Sequence, residues 1–217
     1  MRRSLVVILL TFACATAIVA PAGATTWGGE VFGAFNTYSM KDWNDAIAAA
    51  NLAGANIDEI NSGFGGGLGV RVWPNTNWMI AGTWEPLFAS TKESVSGDEL
   101  KLTSNSFQAT IGYFFPSASK GRFGIGAGPG MYLLNGKGTS AGSPDVEYKG
   151  TAIGFHVVGM GEWEVSPGFG ITGTAGYRMA NITDTEEDGV SATPKFETDY
   201  SGVVLRAGMT FSMPSSK

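Results

Sequence analysis

The chain has 217 residues, with 14 lysines and arginines against 19 aspartates and glutamates, and a formal net charge of −5. This acidic balance argues against nucleic-acid binding, which depends on basic patches. The 32 glycines follow no collagen repeat and aromatic residues make up 12%, which excludes a disordered low-complexity chain. A single cysteine excludes a disulfide framework.

The first 24 residues have the three parts of a Sec-type signal peptide. Arg2 and Arg3 precede an uncharged apolar segment over 5–19, and the Ala-Gly-Ala sequence at 22–24 is typical of a cleavage site. We therefore expect cleavage after residue 24 and a single mature domain over 25–217. That domain keeps 12 basic and 19 acidic residues, a net charge of −7, and loses Cys14. Twin-arginine export and a lipoprotein cysteine at Cys14 are alternatives that fit the segment less well.

Apolar residues alternate with small or polar residues through most of the mature chain. Strict alternation predicts β-strands, because successive side chains of a strand point to opposite faces. The pattern is weak around 30–38 and clear in seven further segments: 64–72, 78–85, 106–115, 123–133, 153–164, 169–178 and 202–211. The sequence therefore predicts eight strands.

Glycine occupies every second position from Gly124 to Gly130. A dinucleotide fingerprint or a phosphate-binding loop needs a different glycine spacing and a helix that follows it, whereas Pro129 would break such a helix. The period of two predicts a strand with one face almost without side chains. We expect that face to leave room for charged side chains of other strands.

Short and long connections alternate between the predicted strands. Three are short, at 74–77, 116–121 and 166–168, and four are long and polar, at 39–62, 90–99, 135–149 and 183–199. All short turns should therefore lie at one end of the structure and all long loops at the other. The first long loop contains the alanine-rich sequence KDWNDAIAAANLAG, which predicts a short helix capped by Ser39 or Asn44.

Two barrels fit this pattern, and they differ in which face is outside. A soluble lipocalin-like carrier would bury the apolar face, whereas a transmembrane barrel exposes it to lipid. The polar face carries mostly glycine, serine and threonine, which suits a narrow interior better than a solvated surface. Aromatic residues also flank the short turns, as in a membrane-interface girdle. These are Trp73, Trp78, Phe115, Phe123, Trp163, Phe169 and Phe211.

Several charged residues fall on the polar face and should therefore enter the lumen. They are Arg71, Glu85, His156, Glu162, Glu164, Arg178 and Arg206. Because buried charges must pair, we expect a salt-bridge network that plugs the barrel. An ion or small-solute path through the same groups is the alternative.

The sequence gives little indication of catalysis. His156 is the only histidine, so we expect no catalytic residues, no metal site and no cofactor. Lipid A deacylases are small barrels with a serine two residues after the catalytic histidine, but this chain has Val158 there.

Three glycine-rich or terminal motifs carry a family resemblance: GFGGGLGVRVW, FGIGAGPGMYLL and the ending VVLRAGMTFSM. In these motifs the chain resembles the small eight-stranded outer-membrane β-barrel proteins of Gram-negative bacteria, of the OmpX and OmpA-transmembrane-domain kind. Phe211 corresponds to the terminal aromatic of that family. The resemblance implies an all-β fold, an eight-stranded antiparallel up-and-down transmembrane β-barrel with a short helix in the first long loop. It also implies location in the cell outer membrane.

The partners that the resemblance implies are outer-membrane lipid, lipopolysaccharide and the barrel-assembly machinery, with no nucleic acid, for a monomeric protein. We expect a non-enzymatic structural or surface-interaction role through the long extracellular loops. A narrow channel or carrier for small or hydrophobic solutes, and a soluble lipocalin-like carrier, are the alternatives.

Overall fold

The computed structural model describes residues 26–94, 97–140, 142–191 and 196–213. The predicted signal peptide and Cys14 lie outside the described residues.

Eight antiparallel strands form a closed barrel. Each strand pairs with the next, and the last pairs with the first through partners such as Val31 and Met209. The strands are β1 Thr26–Thr37, β2 Ser62–Trp73, β3 Trp78–Lys92, β4 Glu99–Phe114, β5 Gly121–Thr139, β6 Val146–Ser166, β7 Phe169–Met179 and β8 Gly202–Met213. The prediction of an all-β, eight-stranded up-and-down barrel is confirmed.

The two faces of the strands are arranged as in a membrane barrel. Phe64 and Ile153 are 79% and 83% exposed on the outside, whereas Glu85 and Arg178 are fully buried inside. A soluble barrel has the opposite arrangement, since the hydrophobic effect drives its apolar face inward. Among the described residues, no helix has the length and apolar character needed to cross a membrane.

The outward apolar residues form a band, here called the apolar band. It runs from Phe123 to Leu133 on β5 and from Trp163 to Ile153 on β6. Ten residues at about 3.3 Å each, tilted by about 40°, span about 25 Å, which is the height of such a band in outer-membrane barrels. Beyond it, toward the long connections, the outward residues are polar.

The barrel wall is taller on one side. Strands β4, β5 and β6 have 16, 19 and 21 residues, whereas β1 and β2 have 12 each. The predicted long loop at 135–149 is therefore mostly strand, and the connections that remain on this side are 93–98 and 140–145. The extension is stabilised because Leu102 and Leu134 point inward and are buried.

The predicted helix is present in the first long connection, as α1 Lys41–Leu52. The predicted caps are wrong, because Met40 precedes the helix in a left-handed conformation with φ 37° and no side-chain cap. The Asn44 side chain instead fixes the returning chain, accepting a hydrogen bond from Ile60 N at 2.8 Å and donating one to Ile60 O at 3.2 Å. Trp43 and Ile47, one turn apart, form the buried face of α1.

The interior has apolar clusters at both ends and a polar layer between them. The cluster near the short turns consists of Trp73, Met79, Ala81, Phe114, Val158 and Met160. The cluster near the long connections is larger and includes Tyr38, Trp43, Ile47, Leu87, Leu102, Tyr132, Leu134, Ile182 and Tyr200. The candidate site lies in the polar layer and in the larger cluster above it.

Candidate functional site in the barrel lumen

Glu85 of β3 is the centre of the polar layer. It is fully buried, and its carboxylate accepts a hydrogen bond from Asn36 Nδ2 at 2.9 Å and contacts Arg206 Nη2. The same Arg206 nitrogen donates to Gln108 Oε1 at 2.8 Å. A buried carboxylate is costly unless it is paired and hydrogen-bonded, and Glu85 meets both conditions.

Asn36 links Glu85 to a second buried cation. Arg178 Nη1 donates to Asn36 Oδ1 at 3.0 Å, and Arg178 Nε donates to the Tyr200 carbonyl at 3.0 Å. The chain of contacts from Arg178 through Asn36 and Glu85 to Arg206 joins strands β7, β1, β3 and β8. The network therefore crosses the lumen.

His156 lies beside this network. Its Nε2 atom is 2.8 Å from Thr110 Oγ1, and its Nδ1 atom has no hydrogen-bond partner among the described residues. Its Cα partners on the neighbouring strands are Gly128 and Arg178, so it is level with the polar layer.

A second group of charges lies nearer the short turns. Arg71 contacts Glu30 and lies 3.2 Å from Glu162, while Arg122 Nη2 lies 3.1 Å from the other oxygen of Glu162. The Arg122 guanidinium also stacks 3.8 Å from the Trp73 ring centroid. These cations and carboxylates pair with each other, and the aromatic rings of Trp73 and Phe114 pack beside them.

Glu164 does not join these charges, contrary to expectation. Its side chain is exposed, because β6 reaches the barrel rim there and its pairing with β7 shifts register between Glu164 and Ser166. The alternation of side chains correctly predicted that Glu164 lies on the inward face of β6, but water reaches that face at the rim of the barrel.

Trp73 was predicted as an interface aromatic, and this prediction is wrong. Its side chain is 6% exposed and packs inside the barrel with its ring centroid 4.9 Å from that of Phe114. Side chains two positions apart on a strand point to the same face, and Trp73 therefore points inward like Arg71. The remaining predicted aromatics are outward: Phe169 is half-buried, and the exposed ones are Trp78, Phe115, Phe123, Trp163 and Phe211.

Sequence reasoning missed several members of the lumen network. They are Glu30, Asn36, Gln108 and Arg122. Gln108 and Arg122 were detectable, because they alternate with the outward residues Phe107 and Phe123. Glu30 and Asn36 were not, since both faces of the first strand are mixed in character.

Helix α1 packs at the outer end of the barrel. Trp43 Nε1 donates to Thr198 Oγ1 at 3.0 Å, and its ring lies edge-on to Tyr148 and Phe196 at 5.0 and 4.6 Å. Below it, Tyr38 and Tyr200 pack edge to face at 5.3 Å. The helix is thus held over the barrel by an aromatic cluster.

A cleft of about 360 Å³ runs beside α1. Its apolar lining comes from Ile47 and Ala50 of the helix and from Leu100 and Tyr148 of the extended wall. Burial, and next the carboxylate of Glu187, raise the pKa of Tyr148 above its ordinary value. Tyr148 therefore presents a neutral ring to the cleft at physiological pH. Within the described ranges, no three His, Cys, Asp or Glu side chains are grouped as a metal site.

Comparisons with known proteins agree with this architecture. The family model described as outer membrane protein beta-barrel domain matches residues 6–212. No curated protein matches the chain.

Three solved structures share the fold. OprG from Pseudomonas aeruginosa is 10% identical with a TM-score of 0.60, over 91% of this chain and 99% of OprG. A major outer membrane protein from Thermus thermophilus is 10% identical with a TM-score of 0.56, over 86% of this chain and 99% of that protein. Ail of Yersinia pestis, in complex with the heparin analogue sucrose octasulfate, is 12% identical with a TM-score of 0.51, over 88% of this chain and 99% of Ail.

The family match covers nearly the whole chain, and the inverted faces of the barrel agree with it. This protein, located in the outer membrane, belongs to the outer membrane protein β-barrel domain family.

Proposed function

We propose that the protein is a closed, non-enzymatic barrel that acts through the surface formed by α1 and the outer strand ends. The observation that carries the proposal is the filling of the lumen at three levels. Paired charges and aromatic rings fill the short-turn end, the Glu85 network crosses the middle, and the aromatic cluster under α1 fills the outer end. Eight strands leave an interior that side chains of this size can fill.

Conductance in planar bilayers tests the closed lumen. The purified wild-type protein should give no steady ion conductance, and a stable open level in wild type would overturn the proposal. Truncating both buried cations, as Arg178→Ala with Arg206→Ala, removes the chain of contacts across the middle. We expect this variant to conduct intermittently if it folds, whereas Lys120→Gln in an exposed turn should remain silent.

A second candidate function is binding of small apolar molecules, and the cleft beside α1 favours it. A volume of about 360 Å³ is within the range of small-ligand sites, which are mostly apolar. A brominated short-chain alcohol quenches tryptophan fluorescence on contact, and the part of the quenching that is lost in Trp43→Phe would report occupancy of the cleft. The Ala50→Phe variant should fill the cleft and abolish this part of the quenching. Quenching that survives this substitution would count against the cleft.

A further inference from the structure

The middle layer of the lumen contains more positive than negative charge. Its charged side chains are those of Glu85, Arg178 and Arg206, which all point inward. Arg206 contacts Glu85 directly, whereas Arg178 is joined to Glu85 only through the neutral amide of Asn36. Protonation of His156 beside them would add to the excess. Among the described residues, the Arg178 guanidinium therefore has no carboxylate in contact with it.

The other charges of the lumen do not supply the missing anion. Nearer the short turns, two carboxylates pair with two guanidinium groups, so that these four charges cancel. They belong to Glu30, Glu162, Arg71 and Arg122. Among acidic and basic side chains, those of Glu85 and Arg206 exert the largest electrostatic effects on Arg178. Because Arg206 already compensates Glu85, the excess positive charge of the interior belongs to Arg178.

The Arg178 guanidinium also keeps hydrogen-bond donors that the protein does not use. The residue is fully buried, and its Nη1 and Nε atoms donate to Asn36 Oδ1 and to the Tyr200 carbonyl, which are both neutral acceptors. Its Nη2 atom has no hydrogen-bond partner among the described residues. A buried cation is costly unless it is paired and hydrogen-bonded, and Arg178 is only partly hydrogen-bonded and is not paired.

Two buried tyrosine hydroxyls in the same part of the lumen have no hydrogen-bond partner among the described residues. They belong to Tyr132 and Tyr200, and the charge of Arg178 acts on both. Tyr200 N donates to the carbonyl of Ala180, two residues after Arg178, at 2.9 Å. The Tyr132 ring lies over Gly154, where an added Cβ would be 2.8 Å from Tyr132 Cε2 and 3.2 Å from Ala180 Cα. Both rings are therefore next to the strand end that carries Arg178.

We propose that Arg178 Nη2 and the hydroxyls of Tyr132 and Tyr200 bind a small monovalent anion such as chloride inside the barrel. All three groups can donate hydrogen bonds, which an anion accepts, and the bonds from the guanidinium are charge-assisted. One negative charge balances the excess on Arg178. A halide is about as large as a water molecule, so a packed interior can hold it as it holds a buried water. The inference goes beyond the proposed function and does not require the lumen to be closed.

Unfolding at different chloride concentrations tests this inference. The protein is refolded from chloride-free urea into vesicles of neutral lipid, and sodium gluconate, whose anion is too large for the site, keeps the ionic strength constant. A ligand that binds only the folded state stabilises it by mass action. Above the dissociation constant, each tenfold rise in chloride should therefore lower the unfolding equilibrium constant about tenfold. A constant that does not change with chloride would overturn the inference and would leave water as the partner of these donors.

Two variants and their controls assign the chloride effect to the site. Arg178→Gln should abolish the dependence on chloride and Tyr132→Phe should weaken it. Lys41→Gln removes an exposed positive charge and Tyr177→Phe an outward hydroxyl, and both should keep the full dependence. Heat-modifiable mobility in SDS gels shows that each barrel is folded, and a folded Arg178→Gln barrel with full dependence would overturn the inference.

A second measurement locates the anion without any substitution. In crystals of the wild-type protein grown with sodium bromide, anomalous scattering should place a bromide within hydrogen-bond distance of Arg178 Nη2. Bromide found only on the outer surface would overturn the inference. Neither result depends on conductance, so the anion site and the closed lumen can fail separately.

Discussion

Arg206 and Glu85 meet across the lumen although 121 residues separate them in the chain. The pair joins β8 to β3, and Asn36 and Gln108 supply further hydrogen bonds to it. Because both groups are buried, removing one charge leaves the other without compensation.

We therefore expect Glu85→Ala to lower the free energy of unfolding by about 3 kcal/mol, the cost of breaking a buried pair. Urea unfolding in lipid vesicles, followed by tryptophan fluorescence, measures the change. The matched control is Asp45→Ala, which breaks the exposed pair with Lys41 on α1 and should leave the unfolding midpoint unchanged. An equal loss in both variants would contradict a special role for the lumen pair.

Asn36 is predicted to link the two charged halves of the network, since its single amide contacts both Glu85 and Arg178. Asn36→Ala removes the donor to Glu85 and the acceptor from Arg178, and we expect a loss of about 2 kcal/mol for these buried charged partners. Asn105→Ala is the control, because its oxygen accepts an exposed hydrogen bond from Trp84 at 3.2 Å. The same unfolding assay should show little change for it.

The two variants of the network can also be combined. If Asn36 acts through Glu85, the double variant Asn36→Ala with Glu85→Ala should lose less stability than the sum of the two single losses. Strict additivity would mean that the two residues stabilise the barrel independently.

Alternation in the sequence could predict most of the fold and part of the lumen. It separated inward from outward residues on seven strands, because lipid and lumen demand different side chains at every second position. Trp73 lies beside a short turn, like the interface aromatics, but it is two residues after Arg71 and therefore shares the inward face of β2. Asn36 could not be predicted, since its strand has mixed faces and its partners are distant in sequence.

The alternation of apolar and polar residues also did not predict how far the three strands β4, β5 and β6 extend. Beyond the apolar band the outward residues are polar as well as many of their neighbours, so the alternation that predicts a strand ends there and the sequence resembles that of a loop. Only the inward row that includes Leu102 and Leu134 continues the strand, and this row packs against α1 and the strands opposite it. A contact between distant segments, and not a local preference, therefore maintains these strand ends.

The row of alternating glycines on β5, from Gly124 to Gly130, has a different role from the predicted one. We expected its empty face to leave room for charged side chains, but the space is filled by Phe114, Thr110, Met160 and Tyr132. At Gly128 the constraint is backbone, because an added Cβ would collide with the carbonyl oxygen of Ala109. The glycines therefore permit close packing of neutral groups.

Two alanine substitutions test this conclusion. Gly128→Ala should reduce the yield of folded barrel severely, because the β4 backbone would have to move. Gly173→Ala should be neutral or stabilise by up to about 1 kcal/mol, since a Cβ there meets nothing within 4 Å and the unfolded chain loses freedom. Refolding yield from urea, read as heat-modifiable mobility, compares the two variants, and urea unfolding of the folded Gly173→Ala barrel measures its change in stability. Equal yields for the two variants would contradict a packing role for Gly128.

Trp43 is predicted to hold α1 on the barrel. Trp43→Ala removes the hydrogen bond to Thr198 and the edge-on contacts with Tyr148 and Phe196, so we expect α1 to detach locally while the membrane strands persist. Limited proteolysis in vesicles should then cut within 41–61, and hydrogen exchange should rise there but not in β7. Leu52→Ala on the same helix is the control, because Leu52 is 92% exposed and should leave both measurements unchanged. Protection of 41–61 that survives Trp43→Ala would mean that the Asn44 hydrogen bonds with Ile60 hold the helix instead.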